Sequence, residues 1–328
     1  MSKVLIIKYD TDEFEKYYNN LARKNDIEVL PISFFDGTKA VGFWDKIKRF
    51  FKLCFIPKNV VEDFDIIVIF DNMILVPFLK LKANWNTRII YWRWNILTET
   101  EAHKLRYLKL FCELWTFDEL DSKKYEMKLN NQFYGIIPPK EFPAPKYIKR
   151  AFCACVDKGR YEELSEIRKL LIKYNVICDF ILVKEKNKNY KQLDSAWIRD
   201  EGISYSEFVE RTINSDLVVD LVQHSQVGIT VRVLEALFYN KKLITNNIAV
   251  KQYPFYNPSN VFIYGSDDEL RIKKFLESPY VEISKKIKEH YTINQWANNF
   301  IEDNDINKCG SYILCFAFLT PSVVDRAM

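Results

Sequence analysis

Glycine and histidine are scarce in this chain, with 8 and 3 residues among 328, and proline contributes 11. That composition excludes fibrous and long low-complexity segments. No stretch approaches the roughly 18 uninterrupted apolar residues that would span a bilayer. The chain runs from Ser2-Lys3 straight into Val4–Ile7, an apolar run too short for the core of a signal peptide, so a cytoplasmic protein is expected. Seven cysteines, an odd number without disulfide-like spacing, agree with a reducing compartment. Cys153 and Cys155 stand too close together for a zinc knuckle and read as core. No Asp-x-Asp pair behind a strand stands out as a metal motif, and no short repeat is present. The formal charge of +4 is mild and gives no reason to invoke nucleic acid.

What is present is a large apolar fraction, 48%, arranged as alternating strand and helix patterns. Strands are expected at Val4–Lys8, Ile27–Pro31, Asp65–Phe70, Arg88–Trp92 and Leu114–Phe117. Helical periods at Glu13–Arg23, 74–82, 99–110 and 119–128 fill most of the gaps. Residues 136–149 then carry four prolines and no amphipathic period, which makes them a stiff connector. A second series follows: strand Ala151–Val156, turn Asp157-Lys158-Gly159-Arg160, helix Tyr161–Tyr174 and strand Ile177–Val183. This predicts an α/β protein of two Rossmann-like domains facing each other across a cleft. The expected division is residues 1–136, a linker at 137–149, a second domain at 150–290 and a closing helix at 291–304. Residues 305–328 fit no element and are read as a disordered or non-native tail.

The densest signal lies in 216–247. An apolar run, Leu217–Leu221, is followed by a polar loop with Gln223, His224, Ser225, Gln226 and Gly228. A helix follows, with Val231, Leu234, Leu237 and Phe238 on one face and Thr230, Arg232 and Glu235 near its start; strand Lys242–Thr245 closes the unit. Such a unit aims a helix N-terminus and its backbone N–H groups at an anion beyond the strand ends. In the turn 157–160, Gly159 permits a tight bend. Lys158 and Arg160 sit unfavourably against the dipole of the following helix unless a phosphate joins them; the alternative is a solvated turn.

The 216–247 unit resembles the nucleotide-sugar half of GT-B glycosyltransferases, in which a glycine-containing loop enters a helix bearing Glu-Ala. Glu235-Ala236 matches that pattern. The resemblance implies that Glu235 holds the donor ribose, that the loop with His224, Gly228 and Thr230 faces diphosphate and sugar, and that Lys158, Gly159 and Arg160 clamp the diphosphate, with Arg232 as a third cation. The earlier glutamate of many retaining members falls at Val227 here. That leaves Gln226 or Gln223 as the polar substitute and retention against inversion open.

In the first half, position at strand ends selects Asp10 and Asp71 as candidate general bases, because a carboxylate near a sugar hydroxyl accepts its proton as the bond forms. Both also suit helix capping. Arg93, Trp94 and Asn95 form a candidate acceptor platform, with interdomain packing as the other reading of the aromatic residues. Phe43, Trp44, Ile47, Phe50, Phe51, Cys54 and Phe55 recur at helical spacing among Lys46, Lys48, Arg49 and Lys52. That pattern fits an interfacial helix on an anionic membrane or a core helix with a basic edge. The expected function is metal-independent sugar transfer from a nucleotide sugar to a saccharide or lipid-linked acceptor in bacterial surface polysaccharide or lipopolysaccharide synthesis, with no cofactor beyond the donor. A GT-B-like sugar-nucleotide epimerase and a non-catalytic scaffold in polysaccharide assembly are the alternatives.

Overall fold

The computed structural model describes residues 2–36, 51–138, 140–186, 188–190, 196–223 and 226–303. His224, residues 43–50 of the aromatic and basic segment, and the tail from 305 lie outside the described residues.

Twelve strands run in chain order: β1 (Val4–Lys8), β2 (Glu28–Pro31), β3 (Ile66–Phe70), β4 (Arg88–Arg93), β5 (Glu113–Thr116), β6 (Lys128–Leu129), β7 (Arg150–Val156), β8 (Ile177–Val183), β9 (Ile198–Arg199), β10 (Leu217–Asp220), β11 (Lys242–Thr245) and β12 (Val261–Ile263). They form two six-stranded sheets, β2-β1-β3-β4-β5-β6 and β12-β11-β10-β7-β8-β9, parallel throughout. A parallel sheet needs cover on both faces, and its central strands are correspondingly apolar. Every residue of β3, Ile-Ile-Val-Ile-Phe, is buried, and each such side chain contributes about 1.5–3 kcal/mol of transfer free energy. The helices that matter for the site are α1 (Glu13–Lys24), α2 (Ile32–Asp36), α3 (Leu75–Lys82), α4 (Glu99–Leu108), α5 (Glu119–Tyr125), α6 (Tyr161–Lys173), α7 (Tyr205–Ile213) and α8 (Val231–Phe238).

Each sheet reverses its winding beside its first strand. In the first sheet the reversal lies between β1 and β3; in the second it lies between β7 and β10. Only Leu217 and Val218 of β10 pair with β7, at Ala151 and Phe152. Beyond that register the two strands have parted, and a crevice opens at their C-terminal ends, where α/β sheets bind ligands.

The two domains share one continuous core. Tyr18, Trp92, Trp115 and Phe117 of the first pack in the same buried cluster as Ile229, Val233 and Leu234 of the second. The helix over residues 293–303 returns to the first sheet. Trp296 meets Trp92 edge-on at 5.4 Å and Phe300 meets Trp115 at 4.9 Å. Asp303 accepts from Lys128 at 2.6 Å.

Glycine explains how closely the halves approach. A Cβ on Gly228 would lie 2.7 Å from the Phe117 ring and 2.8 Å from the Phe117 carbonyl oxygen. At the same contact the backbone N–H groups of Val227 and Gly228 donate to one Asp118 oxygen at 2.9 and 2.8 Å. The other Asp118 oxygen caps α5 through Leu120 and Asp121. Gly228 is therefore a contact between domains and its N–H is occupied, which corrects the expectation that it faces the diphosphate.

Candidate active site

A cavity of about 220 Å³ fills the gap between β7 and β10, lined by Cys153, Cys155, Arg160, Asp220, Thr230 and Arg232 over an apolar floor that includes Phe152 and Phe208. It adjoins a larger interdomain cleft of about 730 Å³, and the two share Ala154, Cys155, Phe208 and Arg232. On one side the cleft is lined by the loop from β1 into α1, Thr11 to Phe14. On the other lie the C-terminal ends of β7 and β8 and the entry to α7, Gly202 to Tyr205.

Arg160 reaches the cavity because its guanidinium is held by two strand ends. Nε donates to the Leu221 carbonyl at 2.6 Å and an Nη to the Val156 carbonyl at 3.0 Å. Carbonyls hold the fork without neutralising its charge, so the positive field remains available to an anion. The preceding turn is built for the bend: Lys158 and Gly159 take φ of 42° and 84°, and the buried Asp157 carboxylate caps Tyr161 at 2.9 Å. The structure separates the expected pair. Lys158 is exposed and lines neither cavity, whereas Arg160 lines the inner one.

At the opposite wall, Thr230 caps α8 by accepting from Val233 N at 3.3 Å and donates its hydroxyl to Asp220 at 2.8 Å. Burial raises the Asp220 carboxyl above its ordinary range, with Thr230 and both arginines opposing the shift. The Arg232 guanidinium carbon sits 3.4 Å from the centroid of the Phe208 ring and pairs with Glu235. Two arginines and the start of a helix thus converge on one small cavity, an arrangement suited to an oxyanion.

Glu235 does not face that cavity. Its carboxylate is 1% exposed, takes Arg232 on one oxygen and accepts from the Tyr205 hydroxyl at 2.8 Å on the other. The run Val233 to Leu237 is buried throughout, which turns Glu235 inward. This corrects the expectation of a carboxylate open to ribose: in the structure it orients the arginine that lines the cavity. With its one proton on Glu235, the Tyr205 hydroxyl accepts from the Tyr134 hydroxyl at 3.3 Å, which meets the Tyr239 hydroxyl at 3.0 Å, forming a buried chain of phenols beside the ion pair. Gln226 is likewise spent locally, donating to the Gly228 carbonyl at 3.2 Å.

On the first domain, Asp10 and Asp71 flank the reversal between β1 and β3. The Asp71 backbone has φ of 50°, a conformation few non-glycine residues adopt. Its carboxylate accepts from Arg93 at 3.2 Å, the Trp94 N–H at 3.0 Å and Asn95 at 3.1 Å. Arg93, 7% exposed, also donates to Glu101 at 2.8 Å and the Ile96 carbonyl at 3.1 Å. The Trp94 ring packs among Phe14, Tyr18, Phe70 and Phe133. The expected acceptor platform is therefore a packed and ion-paired strand end, with Asn95 its exposed member. Asp10 takes the Ser33 hydroxyl at 3.1 Å.

Asp10-Thr11-Asp12 does spell Asp-x-Asp behind a strand, but Asp12 caps α1 through Glu15 N at 2.8 Å. Among the described residues no group of three or more His, Cys, Asp or Glu side chains is arranged to hold a metal. Lys8, which the sequence pattern did not single out, is buried at the end of β1. It is ion-paired with Glu15 and surrounded by Phe14, Tyr18, Phe70 and Trp94 at 5.4–5.8 Å. Burial lowers its pKa to about 7.

Two parallel sheets, covered by helices and facing each other across a cleft at their strand ends, define the GT-B architecture. No protein-family profile and no curated relative matches the chain; its likeness is to solved structures. AviGT4, a glycosyltransferase involved in avilamycin A biosynthesis, is similar over 92% of this chain and 96% of its own, at 11% identity and a TM-score of 0.53. An alpha-glucosyltransferase in complex with UDP and a 13-mer DNA containing a HMU base is similar over 90% and 91%, at 12% identity and a TM-score of 0.46.

Proposed function

We propose that the chain is a glycosyltransferase whose nucleotide-sugar donor lies at the reversal of the second sheet, with its diphosphate against Arg160, Arg232 and the N-terminus of α8. The observation that carries this is the convergence of both guanidiniums on the cavity between β7 and β10. A diphosphate leaving group gains negative charge as the glycosidic bond breaks, so cations already fixed at its oxygens favour the transition state over the ground state. This fixed charge does the work of a divalent ion, and transfer needs no metal. The acceptor, a saccharide or lipid-linked saccharide of a bacterial surface polysaccharide, enters from the first-domain side of the cleft. Its hydroxyl gives up a proton to Asp10, next in sequence to Thr11 of the cleft wall, while Asp71 is committed to Arg93, Trp94 and Asn95.

A thermal-shift screen against UDP, GDP, CMP and dTDP sugars tests the donor half, because a ligand bound only to the native state raises apparent stability by mass action. At least one should stabilise the protein, and EDTA should leave transfer intact; stabilisation by none would refute the reading. We further propose that the segment Phe43 to Phe55 brings the enzyme to an anionic membrane surface. Lys48→Glu with Lys52→Glu should then reduce sedimentation with anionic vesicles, as added salt should. Unchanged partition of a folded variant would refute the contact.

A further inference from the structure

Cys155 stands where the inner cavity meets the interdomain cleft, and it lines both. Cys153, two residues earlier on β7, lines the inner cavity alone and is 4% exposed, whereas Cys155 is half-buried. Strand alternation places both thiols on one side of β7, where Arg160 shares the same cavity wall. The sequence pattern reads both cysteines as core; in the structure both line the inner cavity, Cys153 buried and Cys155 half-buried at its mouth.

We propose that Cys155 is a modification site for small soft electrophiles, above all low-molecular-weight disulfides, and that its modification closes the way from the cleft to the arginine cavity. The second half rests on the donor assignment above. In the exchange step the Cys155 proton passes to solvent and the thiolate attacks one sulfur of the reagent. The reagent's S–S bond breaks, its other sulfur leaves with the electron pair, and Cys155 carries a mixed disulfide that an added dithiol removes. An inner cavity of about 220 Å³ leaves little space for a substituent at its mouth beside a diphosphate.

Cys54 is half-buried like Cys155 but lines neither cavity; Cys112, Cys178 and Cys153 are poor competitors. Burial pushes the Cys112 thiol up to about 12 and the Cys178 thiol up to about 11. Contact with Cys155, then burial, raises Cys153. The same contact with Cys153, helped by the Arg160 guanidinium and opposed by burial, lowers Cys155. The thiolate is the nucleophile, so the charge environment favours the cysteine that lines both cavities.

The test treats the full chain with substoichiometric methyl methanethiosulfonate and maps the adducts by mass spectrometry, with and without UDP. The Cys155 peptide should react at least about tenfold faster than those of Cys112, Cys153 and Cys178. Modified protein should lose the thermal shift produced by UDP and regain it with dithiothreitol. In Cys155→Ser, the reagent should leave the UDP response where it stood before treatment. A Cys155 that reacts no faster than Cys112, Cys153 and Cys178 overturns the site, and this mapping needs no nucleotide. Unmodified protein that responds to UDP, with an undiminished response after Cys155 is modified, overturns the closure. Should UDP and every other nucleotide leave the unmodified protein unshifted, the donor assignment has failed and closure falls with it, while the ranking of rates still decides whether Cys155 is the modification site.

Discussion

Replacing Glu235 separates its two roles in this structure. Glu235→Ala leaves the Arg232 guanidinium on the Phe208 ring without its carboxylate and leaves the Tyr205 hydroxyl without an acceptor. Removing one partner of a buried ion pair costs about 3–5 kcal/mol. The Arg232 side chain is 29% exposed, and the water it can reach moves the expectation to the low end, about 3 kcal/mol. Against a total stability of about 5–15 kcal/mol, urea unfolding should show an unambiguous shift in midpoint. Glu235→Gln keeps the shape and the acceptor for Tyr205 and loses only the charge, so it should cost less. Arg232→Met combined with Glu235→Leu removes the charges together and should recover most of the stability while abolishing nucleotide binding, because replacing a whole buried pair by apolar groups is often neutral. Calorimetry on Glu235→Gln should find weakened nucleotide binding through a misplaced Arg232. A Glu235→Ala protein as stable as wild type, with unchanged nucleotide affinity, would show that the carboxylate neither supports the fold nor positions the arginine.

The other predictions concern separate contacts. Arg160→Ala should weaken nucleotide binding by roughly 10–100-fold, as loss of a charge-assisted contact of about 1.5–3 kcal/mol implies. Arg160→Lys should rescue little of it, since an ammonium cannot span the Leu221 and Val156 carbonyls as the fork does; full rescue in titration calorimetry would refute that geometry. Gly228→Ala puts a methyl group into the Phe117 ring and carbonyl and should destabilise by about 1–3 kcal/mol, read as a lower thermal midpoint; an unchanged midpoint would mean the domains do not meet there. Asp157 governs an acid limb. Burial pushes its carboxyl up, but Lys188, Tyr190 and the Tyr161 N–H more than offset this and leave it below its ordinary 3.8. Its contribution is therefore present above pH 3.8 and lost as pH falls through the depressed value. In Asp157→Asn that part of the acid destabilisation should disappear from a pH series of unfolding curves, and an unaltered limb would refute the assignment.

The fold was legible because its information is local. The period changes from strand to helix and back at β10, α8 and β11, and the Pro-rich stretch before β7 marks where the second series begins. The short strands β6, β9 and β12 had no such signal, since two or three residues cannot establish a period and owe their form to neighbouring strands. At the site, types were legible and directions were not. A glutamate on the second turn of α8 is visible in the sequence, but whether it faces ligand or core depends on Tyr205, thirty residues earlier, and on an arginine one turn back that holds it inward. Trp94 posed the same choice between platform and packing. Phe14, Tyr18, Phe70 and Phe133, scattered over more than a hundred residues of chain, decided it for packing. Asp118 shows the reverse error of economy. One oxygen caps α5, and the second fastens the loop before α8 from the other domain. One carboxylate thus sets the start of α5 and the distance at which the two strand-end crevices face each other. A cap that also holds the cleft at its working width is invisible to any window of sequence, because the groups it joins lie 109 and 110 residues apart.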